Sequence, residues 1–281
     1  MASELRPLRR TSVDGIQLEY EEAGSGQPVV LIHGSLGTDG YVPVMTQAAL
    51  KGFHLIRYRR RGYEGSSPAT GTVSIAEQAA DCAALLRKLG VERAHVVGHS
   101  FGGAVALQLA IDAPHLVHSL VLMEPALILL VPGGQVMMSQ LAPVIELYGR
   151  GEKAAATEAF LQGVGGPNAM DVMESVVPGA MAQAARAADT FFQVEMPALQ
   201  VWPFNAEDGR RITQPVLLIN GADTLPVFAE VTQLIHERLP QTEDFTLPRA
   251  GHLLQIENPE DAAMAMTRFF AAHPVPVTAK A

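Results

Sequence analysis

Short apolar runs that stop at glycine or a polar turn recur along the chain, and stretches with helical spacing lie between them. IQLEYEEAG alternates apolar and polar residues and ends in Gly-Ser-Gly, the pattern of a strand followed by a turn. QPVVLIHG is apolar without interruption, which suits a strand covered on both faces of a parallel sheet. FHLIRY, AHVVGHS, SLVLME, PVLLING and EDFTLP read as further strands. SIAEQAADCAALLRKLG predicts a helix, with Ser74 as N-cap, Glu77 completing a capping box and Gly90 as the stop. VPVMTQAALKG, FGGAVALQLAIDAP, VFAEVTQLIHERLP and NPEDAAMAMTRFFAAH also read as helical.

Strand and helix alternate to about residue 124, which implies an α/β chain with a doubly wound, mostly parallel sheet. Strand signals then nearly vanish. Helical pieces such as EKAAATEAFLQGV, AMDVMESVV and GAMAQAARAADTFFQ follow, until the alternation resumes at PVLLING. The expected organisation is one core domain, residues 1–124 and 212–281, with 125–211 inserted as a helical cap. The insertion is poor in charge and rich in Met, Phe and Ala. Met137 and its neighbours, with Trp202, are the expected lining of an adaptable apolar pocket.

Composition narrows the function classes. The 281 residues are 48% hydrophobic and 17% charged, a globular balance. A formal charge of -9 argues against a nucleic-acid partner and against anionic membranes. Cys82 is the one cysteine, so no intrachain disulfide can form, and a reducing compartment fits. The N-terminal stretch MASELRPLRRTSVDG is charged with no apolar run after it, and no stretch reaches ~18 uninterrupted apolar residues. A cytoplasmic location is the expectation. No metal-ligand spacing or phosphate-binding glycine loop is visible, so no cofactor is expected. Oligomeric state stays open between monomer and homodimer.

The strongest chemical signal is Gly98-His99-Ser100-Phe101-Gly102, set between a strand pattern and a helix pattern. That context is what a nucleophile elbow requires: a sharp turn, small neighbours, and a helix N-terminus facing developing negative charge. Ser100 is the expected nucleophile, and the N–H of Phe101 one oxyanion donor. His99 adjoins Ser100, but neighbours on a tight turn diverge, so it is expected to pack beneath the elbow.

These features resemble the α/β-hydrolase superfamily over nearly the whole chain. The block from His33 to Ser66, the Ser100 elbow, the Gly221-Ala222-Asp223 turn and the Gly251-His252 turn come in that family's order. The resemblance implies a serine hydrolase with His252 as general base and the Ser35 N–H as second oxyanion donor. It favours Asp223 as the acid that orients the base. Glu124, which ends SLVLME near where zearalenone-lactonase-like members carry their acid, is the rival, or else a pocket residue. One stretch departs from the family's D-x-R-G-x-G-x-S pattern: here it reads Arg59-Arg60-Arg61-Gly62-Tyr63-Glu64-Gly65-Ser66. The basic run that includes Arg57 is expected to divide between internal ion pairs and solvated surface.

The expected activity is hydrolysis of carboxylic esters or lactones with a hydrophobic acyl or alcohol part, through an acyl-enzyme on Ser100. Hydrolysis of carbon–carbon bonds, amide hydrolysis and perhydrolysis on the same triad remain alternatives. So does a non-catalytic or slowly turning over small-molecule binder on this fold.

Overall fold

The computed structural model describes residues 7–276; residues 1–6 of the N-terminal stretch discussed above, and 277–281, lie outside it. Eight strands form one sheet in the order β1-β2-β4-β3-β5-β6-β7-β8. They are β1 (Arg9–Val13), β2 (Ile16–Ala23), β3 (Gln27–Ile32), β4 (Phe53–Arg59), β5 (Ala94–His99), β6 (Val117–Met123), β7 (Val216–Gly221) and β8 (Thr242–Leu247). β1 and β2 run antiparallel to their neighbours, and the other pairs are parallel. β1, which the hydrophobic pattern did not announce, is mostly polar (RRTSV) and exists as an edge paired to β2.

The continuous apolar runs are the strands with helices on both faces. In β3, Val30 and Ile32 pack on one side with the helices Ile75–Lys88 and Phe101–Asp112. Val29 and Leu31 pack on the other with Pro259–Ala272. This is the period of two that sends successive side chains to opposite faces. The capping box of Ser74 and Glu77 forms as its sequence implies. Cys82 is buried in the core. VPVMTQAALKG does not make one helix. It breaks into Val42–Met45 and a 3-10 turn, Ala48–Leu50, whose N-cap Gln47 is extended.

From Pro132 to Arg211 the chain is helical, including a π-helical turn at Thr190–Glu195 that interrupts the single helix expected for GAMAQAARAADTFFQ. Its middle packs in two further apolar clusters: one around Phe191, Met173 and Leu161 that also takes in Leu36, Tyr63, Leu253 and Ile256, and one around Leu141 and Val144. Ala198, Trp202 and Phe204 instead join the cluster beneath the sheet helices. Among the described residues no helix is long and apolar enough to cross a membrane.

Register sets the site. His99 pairs with Met123, and Met123 with Ile219, so the residues just past β5, β6 and β7 meet at the carboxyl edge of the sheet. Open α/β sheets gather their chemistry there.

Candidate active site

Ser100 stands between β5 and the helix Phe101–Asp112 with φ 52° and ψ −119°. A non-glycine residue there is strained, and such strain persists only where the surroundings over-determine it. They do. The Ser100 N–H donates to Met123 O at 3.0 Å, and the Ala126 N–H donates to Ser100 O at 2.9 Å. A Cβ on Gly98 would lie 2.3 Å from Gly102 O, so the turn closes only with glycine at that position.

His252 follows β8 and reaches back to the elbow. Its Nε2 is 3.2 Å from Ser100 Oγ, and its Nδ1 is 2.7 Å from Glu124 Oε2. The ring stacks on Phe228 with centroids 4.8 Å apart. Glu124 is wholly buried with φ 41°. Its Oε1 accepts the Gly221 N–H at 2.8 Å, and its Oε2 accepts the Thr224 hydroxyl at 2.9 Å. A buried carboxylate needs such partners to stay charged.

This corrects the preference for Asp223. Its side chain is exposed and, among the described residues, makes no hydrogen bond, while its N–H is tied to Ala250 O at 2.9 Å. The position facing His252 Nδ1 is filled from the end of β6, where Glu124 has a left-handed φ of 41°.

The loop after β3 faces Ser100. A Cβ on Gly34 would lie 2.8 Å from His99 Nδ1 and 3.1 Å from Ser100 Cβ, so only glycine allows the approach. Among the described residues the Ser35 N–H donates to no backbone or side-chain acceptor. The Phe101 N–H, first in its helix, is one of the donors a helix leaves free. Both are available to an oxyanion.

All four arginines of the basic run find carboxylates. Arg57 pairs with Glu21 and Asp39, and Arg59 with Glu19 at 2.5 Å. Arg61 pairs with Asp81 at 2.6 Å. Arg60 is fully buried against Glu195 of the π-helical turn, 2.6 Å away. Arg60 was marked in the sequence only as a member of the basic run, and Glu195 carried no sequence signal.

His99 packs under the elbow. Its Nε2–H donates to His252 O at 2.8 Å, and its Nδ1 accepts from Gln255 at 3.2 Å. Burial, then the neighbouring His252, lowers it to about 3. Burial also lowers His95 to about 3, and burial followed by Arg60 puts His33 well below its ordinary value. In the unfolded chain each would titrate near 6.5. The unfolded state therefore binds more protons below that pH, and the stability these neutral rings contribute is lost as pH falls from about 6.5 toward 3. Each contributes at most ~1.4 kcal/mol per pH unit. Denaturant unfolding at pH 5 is expected to give a stability about 3 kcal/mol or more below that at pH 7. A flat profile between those values contradicts the buried neutral assignment.

An apolar cavity opens above Ser100 and His252. Ser35 lies on its wall, and Met137, Met138, Phe160, Val164, Phe191 and Met196 line much of the remainder. Among the described residues no carboxylate, lysine or arginine lines it. Met137 is where the sequence placed it. Two pocket expectations are corrected. Trp202 packs on Phe204, with its Nε1–H donating to Gln108 at 2.7 Å, away from the cavity. Glu124 holds His252 and does not line the cavity.

Comparison with known proteins agrees with this architecture. The profile of the alpha/beta hydrolase family matches residues 29–265. A candidate non-heme bromoperoxidase (BpoC) of Mycobacterium tuberculosis is 28% identical over 276 residues, covering 92% of this chain and 98% of that protein. A candidate carbamate hydrolase (RutD) of Shigella flexneri is 30% identical over 245 residues, covering 83% and 87%. The structure of a thermophilic esterase from Thermogutta terrifontis superposes with a TM-score of 0.78 at 21% identity, over 97% of this chain and all of that one.

Proposed function

The chain belongs to the alpha/beta hydrolase family, and from that membership we propose that it is a serine hydrolase of carboxylic esters or lactones with a hydrophobic acyl or alcohol part. One observation carries the reading: Ser100 Oγ, the His252 ring and the Glu124 carboxylate form a continuous chain of contacts, 3.2 and 2.7 Å long, on the floor of an apolar cavity.

In the proposed reaction His252 Nε2 takes the Ser100 proton as Oγ attacks the carbonyl carbon. Glu124, accepting the Nδ1–H, fixes the tautomer that leaves Nε2 free and stabilises the imidazolium. The oxyanion receives hydrogen bonds from the N–H groups of Ser35 and Phe101, a contribution worth ~100- to 1000-fold per donor. His252 returns its proton to the leaving alkoxide. Water, deprotonated by the same imidazole, then releases the acid from Ser100.

The cavity supports the substrate class. Its wall offers methionine, phenylalanine and aliphatic side chains and no charge to pair with a carboxylate or ammonium. A neutral apolar chain gains about 25 cal/mol for each Å² it buries there, whereas a charged one loses its hydration without compensation.

Hydrolysis of a panel of neutral esters, lactones and amides by the purified protein tests the proposal. Turnover of octanoyl and other apolar esters is expected, and a folded protein inert to every ester and lactone overturns it. Val164→Phe, which fills part of the cavity, is expected to lower kcat/KM for a p-nitrophenyl octanoate about tenfold and for the acetate about twofold or less, since a lost methylene-sized fit is worth ~1–3 kcal/mol. Equal effects on the two esters contradict the placement of the acyl chain.

A further inference from the structure

The Gly34–Ser35 peptide is held from behind. Its carbonyl, Gly34 O, accepts from Arg60 Nη2 at 3.0 Å and lies 2.6 Å from His33 Nδ1. The preceding carbonyl, His33 O, accepts from Arg60 Nε at 3.0 Å. His33 Nε2 accepts the Arg60 N–H at 3.0 Å, so Nδ1 carries the ring's proton and donates to Gly34 O. The backbone has no cis peptide among the described residues. In a trans peptide the C=O and the following N–H point in opposite directions. A guanidinium bound to Gly34 O therefore turns the Ser35 N–H the other way, toward the cavity that Ser35 lines.

We infer that Arg60 is a positioning residue of the oxyanion hole: gripping the carbonyls on both sides of Gly34, it aims the Ser35 N–H and polarises it, and Glu195 holds the guanidinium in place. The inference rests on the serine-hydrolase reading.

Three features separate this from an ordinary buried ion pair. The guanidinium gives two of its donors to the loop, Nε to His33 O and Nη2 to Gly34 O, and its Nη1 donates to Gln78 of the helix Ile75–Lys88 at 2.5 Å. A charge on the carbonyl side strengthens the N–H donor on the opposite side of the same peptide, because polarisation passes through the amide in a low-dielectric surrounding. The Glu195 carboxylate faces the guanidinium, with Oε1 2.6 Å from Arg60 Nη2. Arg60 also lies over the rings of Phe101 and Tyr63, at 4.6 and 5.0 Å. The Tyr63 hydroxyl in turn accepts the Leu36 N–H at 3.2 Å. The loop is thus fixed from its rear while the Ser35 N–H stays free in front. Glu195 belongs to the turn that carries Phe191 and precedes Met196, both on the cavity wall. The wall that meets the substrate and the clamp that sets the oxyanion hole share one turn of chain.

Replacing both charges by apolar groups of similar size separates positioning from stability. Buried ion pairs replaced in that way often leave stability unchanged or raised, whereas removal of one partner is destabilising. Arg60→Met/Glu195→Leu is therefore expected to fold with a melting temperature close to wild type. Its kcat for a neutral p-nitrophenyl ester is expected to fall about 10- to 100-fold, part of the loss for a missing oxyanion donor, with KM changed about twofold or less. A trifluoromethyl ketone of the same acyl group reads the oxyanion hole directly. Ser100 Oγ bonds its carbonyl carbon, the Ser100 proton passes to His252, and the carbonyl π pair becomes the oxyanion. Its inhibition constant is expected to rise by the same factor as kcat falls, a parallel that a merely structural role would not produce.

Glu195→Gln, which keeps shape and leaves Arg60 in place, is expected to lower kcat about three- to tenfold with the same split. It decides the matter if the double variant fails to fold. An active wild type beside folded variants with wild-type kcat and ketone affinity overturns the positioning role alone. A wild type that neither hydrolyses esters nor binds the ketone overturns the serine-hydrolase reading, and the positioning role with it.

Discussion

Ser100→Ala is expected to lower kcat for a p-nitrophenyl ester by about 10,000-fold or more, with the melting temperature within about 2 °C of wild type. The two halves of this expectation have separate causes. The Oγ is the only atom removed, and with it goes the bond that must form to the carbonyl carbon. His252 then has no proton to accept, so its ring, 3.2 Å from the lost oxygen, contributes nothing to attack. What survives is the cavity and the two N–H donors, which accelerate attack by water far less than the enzyme does. The fold is spared because Ser100 holds its φ of 52° through backbone bonds to Met123 and Ala126, which alanine keeps. Alanine is no more strained there than serine. Residual activity above about 1% of wild type in a pure, folded sample points to a nucleophile other than Ser100.

The second large effect separates two carboxylates. Glu124→Gln is expected to lower kcat about 1,000- to 10,000-fold, while Asp223→Asn leaves kcat and KM within about twofold of wild type. The hydrogen bonds dictate how glutamine will sit. Oε1 of Glu124 accepts the buried Gly221 N–H, so the amide oxygen must take that place and the NH₂ must take the place of Oε2. Oε2 is the atom that faces His252 Nδ1 at 2.7 Å. An NH₂ there donates to Nδ1 and drives the ring's proton to Nε2, the nitrogen that should receive the proton from Ser100. The imidazole is then in the wrong tautomer for a general base, the origin of the large loss when a triad acid becomes its amide. Asp223 has no such leverage, because its side chain is exposed and, among the described residues, takes no hydrogen bond from the His252 ring. Loss of activity in Asp223→Asn with near-normal turnover in Glu124→Gln reverses the assignment.

The difference between these two residues also shows where sequence reading stops. The strands were legible because a sheet covered on both faces needs apolar runs, and β3, β6 and β7 carry them. Ser100 was legible because a strained turn between strand and helix leaves a local glycine signature. His252 was legible from its place after the last strand-like run. Which acid faces His252 depends on the register of β6 against β7 and on one positive φ at Glu124, and neither is written in residue order.

The basic run is a similar case. Arg57 and Arg59 pair across the ladder with Glu21 and Glu19, as the period of two and the β2–β4 register require. Arg60 lies one residue past the strand, faces the other way, and meets Glu195, which is 135 residues further along the chain. A contact across that separation follows only from how the helical segment docks. Trp202 failed as a pocket residue for the same reason. Its large apolar ring suits a cavity wall or a core equally, and its indole N–H found Gln108 on the helix beneath.

The convergence of Ser100, His252 and Glu124 is tested most directly by treating the wild-type protein with a fluorophosphonate and mapping the adduct by peptide mass spectrometry. The account predicts one phosphonyl group per chain, on the peptide that contains Ser100, formed much more slowly in Glu124→Gln. A folded protein that stays unmodified, or carries the group on another residue, contradicts it.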